Sequence, residues 1–318
     1  MPCRLIRPSL VRAFATLAIA TATSLAIDGF QCAAQTPSAA GDAKQLRQGS
    51  AEDTATRAPA SPGSTGLSNR ELRADAIAAL PMARLTQTAK RRISAIVDRP
   101  TLFRHLPTQS IDCDPELFIF IARNPEILVG IWEVMGITQV RTERIDDFRM
   151  KARDGSGTNC TVDLVYGDRS THVYVTDGYY DGKMVAAPIT GKSVLILRTQ
   201  YETRPDGLVI ITGTIDCFVQ FDNLGADLIA RTLGPLIGKS ADNNFVETAK
   251  FIDQVGRTAR TNPEGFQDLA ATLPQVGEAT RIKFIEVIAA ADRRNQARLA
   301  LHPQSRTADR TDPMLMLR

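Results

Sequence analysis

Proton transfer near neutral pH is the first chemistry to seek in a chain with three histidines, His105, His172 and His302. His172 is the candidate acid or base, because it falls on a predicted strand beside Tyr174. The alternation around it nevertheless predicts a solvent-facing or sheet-edge ring. His105 stands next to Pro107 near the start of the core, which suits a structural role, and His302 falls in a polar tail. No Ser-His-Asp set can be assembled, and the GxSxG elbow of serine hydrolases is missing.

Asp112, Asp114 and Glu116 alternate with the spacing of calcium ligands, but a calcium site needs roughly six to eight oxygens and normally a glycine-bearing loop. Pro115 marks a helix start there, and carboxylates favour helix N-termini. Asp146-Asp147 and Asp177 with Asp181 are turn acids, and Gly155-Ser156-Gly157 opens a strand instead of cradling a phosphate. Cys113, Cys160 and Cys217 form no CxxC or zinc-type spacing; one disulfide and three buried thiols are both compatible with them. No catalytic residue, metal or cofactor is assigned.

The aromatic set Trp132, Tyr166, Tyr174, Tyr179, Tyr180 and Tyr201 falls in helical and strand regions. Rings with a polar tip can line an apolar pocket, although cross-strand packing explains most of them. A net charge of +3, with acids and bases mixed, excludes nucleic-acid binding as an expectation.

The elements that would position these groups follow from periodicity. Arg4, Arg7 and Arg12 precede the uncharged apolar segment 13–27, and Cys32-Ala33-Ala34 fits a cleavage site before Gln35. Residues 1–34 are therefore expected to be a signal peptide, and the protein exported to the periplasm or beyond. Apart from that segment, no run is apolar enough to span a membrane. Residues 35–67 are rich in Ala, Ser, Thr, Pro and Gly and are expected to be a disordered linker. Ser68 and Glu71 have capping-box spacing, which predicts a helix to about Leu80; a second follows over 82–97, making 68–100 a helical extension.

The core domain is placed at 101–260. A first strand is predicted over 103–111, then two short helices beginning at Asp114-Pro115 and Asn124-Pro125. From Thr138 to Phe221 the period becomes two. Cys160, Val162, Leu164 and Tyr166 share one parity, as do Val209, Ile211, Ile215, Cys217, Val219 and Phe221. Arg204-Pro205-Asp206-Gly207 is the turn of a long hairpin. A short helix over 224–236, ended by Gly234-Pro235, leads to one capped by Ser240 or Asp242, with Phe245, Thr248, Ala249, Ile252, Val255 and Ala259 on its apolar face. Helices over 266–273 and from Glu278, with Ile282, Ile285, Ile288 and Ala289 on one face, occupy 261–301, and 302–318 is a flexible tail.

This order is similar to the helix-grip fold of the START-like (SRPBCC) superfamily. The likeness is carried by LFRHLPTQSI as first strand, DPELFIFIARNPEILVGIWEVMG as the helix pair, the sheet up to FVQF, and NNFVETAKFIDQV as the gripping helix. It implies an α+β fold, with a curved antiparallel sheet wrapped on a long helix and extra helices at both ends. It also implies that an apolar small molecule or lipid would sit between sheet and helix. The side chains expected to hold it are Trp132, Tyr166, Val209, Ile211, Ile215, Cys217, Val219, Phe245 and Ile252. The expected function is non-catalytic ligand binding. The alternatives are a cyclase- or hydratase-like enzyme using His172 or a tyrosine, and a structural protein that engages partners through helices 68–97 and 278–301.

Overall fold

The long hairpin is the spine of the fold. The computed structural model describes residues 65–183, 187–222 and 234–302; the expected signal peptide, most of the linker, the short helix predicted before Gly234 and nearly all of the tail lie outside them. At the hairpin turn Gly207 adopts φ +77 and donates to the Arg204 carbonyl, while Arg204 N donates to the Leu208 carbonyl. Strands β7 (Ile189–Thr203) and β8 (Val209–Phe221) leave this turn in continuous register from Thr203↔Val209 to Gly191↔Phe221.

Around them are β1 (Leu102–His105), β2 (Gln109–Asp112), β3 (Arg141–Asp146), β4 (Arg149–Arg153), β5 (Thr158–Gly167) and β6 (Thr171–Tyr180). The result is an eight-stranded antiparallel sheet in the order β1-β8-β7-β6-β5-β4-β3, with β2 also paired to β8. The predicted first strand is thus two short ones. Pro107, which has no N–H to give a ladder, lies in the break between them.

Among the described residues there are seven α-helices: α1 (Arg70–Ala78), α2 (Gln87–Val97), α3 (Pro115–Arg123), α4 (Glu126–Val134), α5 (Gly234–Thr261), α6 (Pro263–Ala271) and α7 (Glu278–Leu301). The fold is α+β and helix-grip-like, as the order of elements predicts. Asp114 caps α3 by accepting from Glu116 N and Leu117 N, and Pro115 takes the first turn.

Three helix boundaries differ from expectation. The cap of α1 is Asn69, which accepts from Leu72 N, whereas the Ser68 hydroxyl donates to the Phe103 carbonyl. Residues Met82–Arg84 form a 3₁₀ turn, and Thr86 caps α2. Gly234-Pro235 opens α5 instead of ending a helix, since proline is tolerated where the first turn leaves N–H groups unpaired. Asp242 consequently lies inside α5 and accepts from Gly66 N and from Arg104.

The sheet is covered on both faces. On the inner face, Leu195, Ile215, Cys217, Val219 and Phe221 pack against Ile237, Ala241 and Phe245 of α5. Farther along, Ile211 joins Ala249, Ile252, Val255 and the helix pair α3–α4. The outer face is closed by α1 and α2: Ile93, Ile96 and Val97 meet Val173, Val175, Val194, Ile196, Phe103 and Phe218. The predicted N-terminal extension is therefore an integral layer, and the apolar side chains of α2 are used against the sheet.

The C-terminal helices are equally built in. Phe284 and Ile288 of α7 are fully buried, with Phe284 stacked on Phe120 and edge-on to Phe266. Ile282, expected on that face, is exposed; the buried stripe runs Phe284, Ile288, Ala291, Asn295 and Arg298.

Gly256 sets how closely α5 approaches β2. A Cβ there would lie 2.4 Å from the Asp112 carbonyl and 2.8 Å from Cys113 Cα, both backbone atoms. The approach is locked by Asp253, which accepts from Asp112 N, and by Arg260, which holds the Asp112 carboxylate with two hydrogen bonds. In an open helix, glycine to alanine gains about 1 kcal/mol. Here Gly256→Ala is expected to cost about 1–3 kcal/mol through overpacking, read as a lower urea midpoint. An unchanged or higher midpoint would mean that helix and strand separate at no cost.

Candidate functional site: an apolar cavity between sheet and helices

A cavity of about 110 Å³ lies between the inner face of the sheet, α3, α4 and α5. Its origin is visible in the sequence of its walls. Ala122 of α3, Ala152 of β4, Gly213 of β8 and Ala249 of α5 all face it. These small residues leave space that larger aliphatic side chains such as Ile121, Leu128, Val162 and Leu197 surround without filling. A Cβ on Gly213 would meet nothing closer than 3.8 Å.

Polar groups in the lining are few. Tyr174 donates its hydroxyl to the Ala122 carbonyl at 2.5 Å, and burial raises its pKa. Thr142 faces Gln275, which accepts from its N–H. Thr248 of α5 contributes a further hydroxyl. Such a surface solvates apolar matter and offers little to polarise a bond.

Of the side chains expected to hold a ligand, Ile215, Phe245 and Ile252 line this cavity. Ile211 is fully buried in the same core cluster as Ile252 without lining the space. Cys217 and Val219 share the inner face but pack farther along β8 with Ile237 and Ala241. Val209 is half-buried at the end of β8 next to the hairpin turn. Trp132 is buried with its ring 5.5 Å from that of Phe251.

Tyr166 lies on the opposite face, under the Arg84 guanidinium and donating to Asp168. The cause is a β-bulge: the register of β5 on β6 shifts between Leu164 and Tyr166, so parity reverses and Tyr166 joins the outer cluster. Alternation in a lone strand gives no warning of a bulge. Met150 and Ala152 were legible signals that the sequence reading passed over, since they alternate with Arg149, Lys151 and Arg153. Gly213 was missed as well, because a glycine carries no mark of parity.

His172 is not at a solvent-facing edge. It is 0% exposed, on the inner parity of β6, and its Nε2 lies 3.4 Å from Arg123 Nε. Burial, and then the neighbouring Arg123 charge, lower its pKa to about 4. Cys113, Cys160 and Cys217 are buried thiols outside any disulfide. Burial pushes Cys160 and Cys217 up to about 12 and Cys113 higher still, so none is a poised nucleophile. The acids that resemble a calcium loop are engaged otherwise: Asp112 with Arg260, Asp114 with Arg294 and the α3 cap, Glu116 with Arg169. Among the described residues, no helix is long and apolar enough to cross a membrane.

No protein-family model matches the chain, and no curated protein matches it. Among solved structures, a conserved protein from Geobacillus kaustophilus is similar over 48% of this chain and 95% of its own, at 10% identity and a TM-score of 0.35. The di-domain ARO/CYC BexL from the BE-7585A biosynthetic pathway is similar over 59% of this chain and 55% of its own, at 16% identity and a TM-score of 0.24. The fold description therefore rests on the strand order and helix packing given above.

Proposed function

We propose that the protein is exported and holds a small apolar molecule between the sheet and α5, on a scaffold of the START-like (SRPBCC) type. The observation that carries this reading is the apolar cavity itself. A dry apolar cavity of about 150 Å³ takes up benzene or xenon, whereas drug-sized ligands occupy pockets of about 300–1,000 Å³. At about 110 Å³ the space suits one small ring or short chain. A lipid would fit only if the helices moved away from the sheet. Export is inferred from the basic start, the apolar segment 13–27 and the small residues before Gln35.

Native mass spectrometry of protein from the exported fraction, followed by titration with toluene, tests both parts. The expected result is a chain beginning at Gln35 that binds toluene. Gly213→Val should fill the cavity, weaken toluene at least about tenfold, and raise stability by at least about 0.5 kcal/mol, because glycine weakens a strand interior. Wild-type protein that ignores toluene, or a valine variant that binds it equally well, would sink the cavity reading. An intact residue 1–34 segment on exported material would sink the cleavage site.

A further inference from the structure

The buried ring of His172 is short of one hydrogen bond. Its Nε2 faces Arg123 Nε at 3.4 Å. A guanidinium has donors only, so Nε2 must accept, and the neutral imidazole then carries its proton on Nδ1. Nδ1 is buried and has no partner. An unmade hydrogen bond at a buried donor is costly, and native structures rarely leave one without a reason. Among the described residues, the other buried side-chain nitrogens in this position are arginine Nε atoms, on guanidinium groups that have further nitrogens able to bond.

Three neighbours of this ring and of Arg123 line the cavity. Leu197, which pairs with His172 across β6 and β7, lines it. So does Tyr174, the next residue on the same face of β6, and so does Ala122, the neighbour of Arg123. Arg123 is exposed, donates to the Gly167 carbonyl, and has no carboxylate partner among the described residues. Behind the wall that these residues form stands a donor that needs an acceptor, with the Arg123 cation beside its ring.

We propose that the molecule held in the cavity carries a carbonyl-type oxygen, which accepts a hydrogen bond from His172 Nδ1. The ligand class is then a small apolar body bearing one oxygen acceptor, not a plain hydrocarbon. His172 is not itself in the lining, so the oxygen reaches it when a wall side chain such as Leu197 changes rotamer. The inference rests on the cavity being a binding site, as proposed above.

The test compares cyclohexanone with methylenecyclohexane, which share a shape and differ by C=O against C=CH2, using imidazole nitrogen NMR to report on His172. Cyclohexanone should bind about five- to tenfold more tightly and move the Nδ1 resonance, while methylenecyclohexane leaves it in place. In His172→Leu the preference should vanish while methylenecyclohexane binds as before. Cyclohexanecarboxylate offers the same oxygen as an anion. Binding tighter than the ketone would assign a carboxylate held near Arg123, and weaker binding a neutral carbonyl; either supports the acceptor. Equal affinity of ketone and alkene in wild type, or a preference that survives in His172→Leu, overturns this inference and leaves the cavity reading standing. Failure of toluene to bind overturns the cavity reading first, whatever the ketone and alkene do.

Discussion

Replacing Arg198 by methionine is expected to destabilise the folded protein by about 3–5 kcal/mol. Asp216 of β8 is 0% exposed. It accepts from Arg198 Nη2 at 2.5 Å and lies 2.6 Å from His105 Nδ1, which reaches it from the directly paired position on β1. Arg198 and His105 both retain some contact with water, whereas the carboxylate has none. Removing the cation therefore leaves a buried anion with one remaining partner, and the desolvation it suffered on folding is no longer offset. Denaturant unfolding at neutral pH measures the loss. The double variant Arg198→Met with Asp216→Leu should be clearly more stable than Arg198→Met alone, because no buried carboxylate is then left with too few partners. A single variant within about 1 kcal/mol of wild type, or strictly additive effects, would show that water reaches Asp216 and that the triad is not an internal one.

This triad belongs to the outer face, beside Phe218, and bears on why the chain carries helices beyond a minimal helix-grip unit. A sheet gripping one helix leaves its other face to solvent, and alternation should then be polar on that side. Here Val173, Val175, Val194, Ile196 and Phe218 lie on the outer face and are buried by α2. Arg92 of α2 pins the layer by donating to both Asp163 and Asp177. With Phe103 and Phe218 4.9 Å apart and α2 seated over them, the strands are held from behind while small residues open the cavity in front.

Much of this was legible one strand at a time. The parity of Ile211, Ile215, Cys217, Val219 and Phe221 faces α5 as alternation requires, and the stripe Phe245, Ala249, Ile252 and Val255 meets it. What escaped depends on partners that a single segment does not display. Phe218 sits among Thr212, Thr214, Asp216 and Gln220, so its strand looks polar on that side until α2 covers it. The bulge that turns Tyr166 outward is a mismatch between β5 and β6, not a property of either. The cavity arises where Ala122, Ala152, Gly213 and Ala249 converge from four elements far apart in sequence. His172 looked exposed because a lone histidine between Thr171 and Val173 does not reveal that α3 ends over it.

That burial makes acid the condition under which the protein should lose most. The ordinary histidine pKa near 6.5 falls to about 4 for His172, through burial first and then the Arg123 charge, with Asp168 opposing in part. The unfolded chain therefore binds a proton in the window between these values while the folded chain does not, and stability rises with pH across it. The contribution is complete above about pH 6.5 and is lost progressively down to about pH 4, amounting to on the order of 3 kcal/mol. Asp154 and Asp168 act in a lower window. Burial alone would raise both, but hydrogen bonds from Ser156 and Thr158 to Asp154, and from Tyr166, Ser170 and Thr171 to Asp168, hold them below the usual carboxylate value of 3.8. Their stabilisation is present above that value and fades only beneath it. Urea unfolding of wild type and His172→Leu between pH 7.5 and 4.5 separates the contributions. Wild type should weaken steeply over this range, and the leucine variant, which removes the titrating ring together with its unpaired donor, should weaken much less. Parallel curves for the two proteins would mean that His172 takes up its proton in the folded state at the ordinary pH. Its ring would then be open to water, and the unpaired nitrogen beside the cavity would already have a partner.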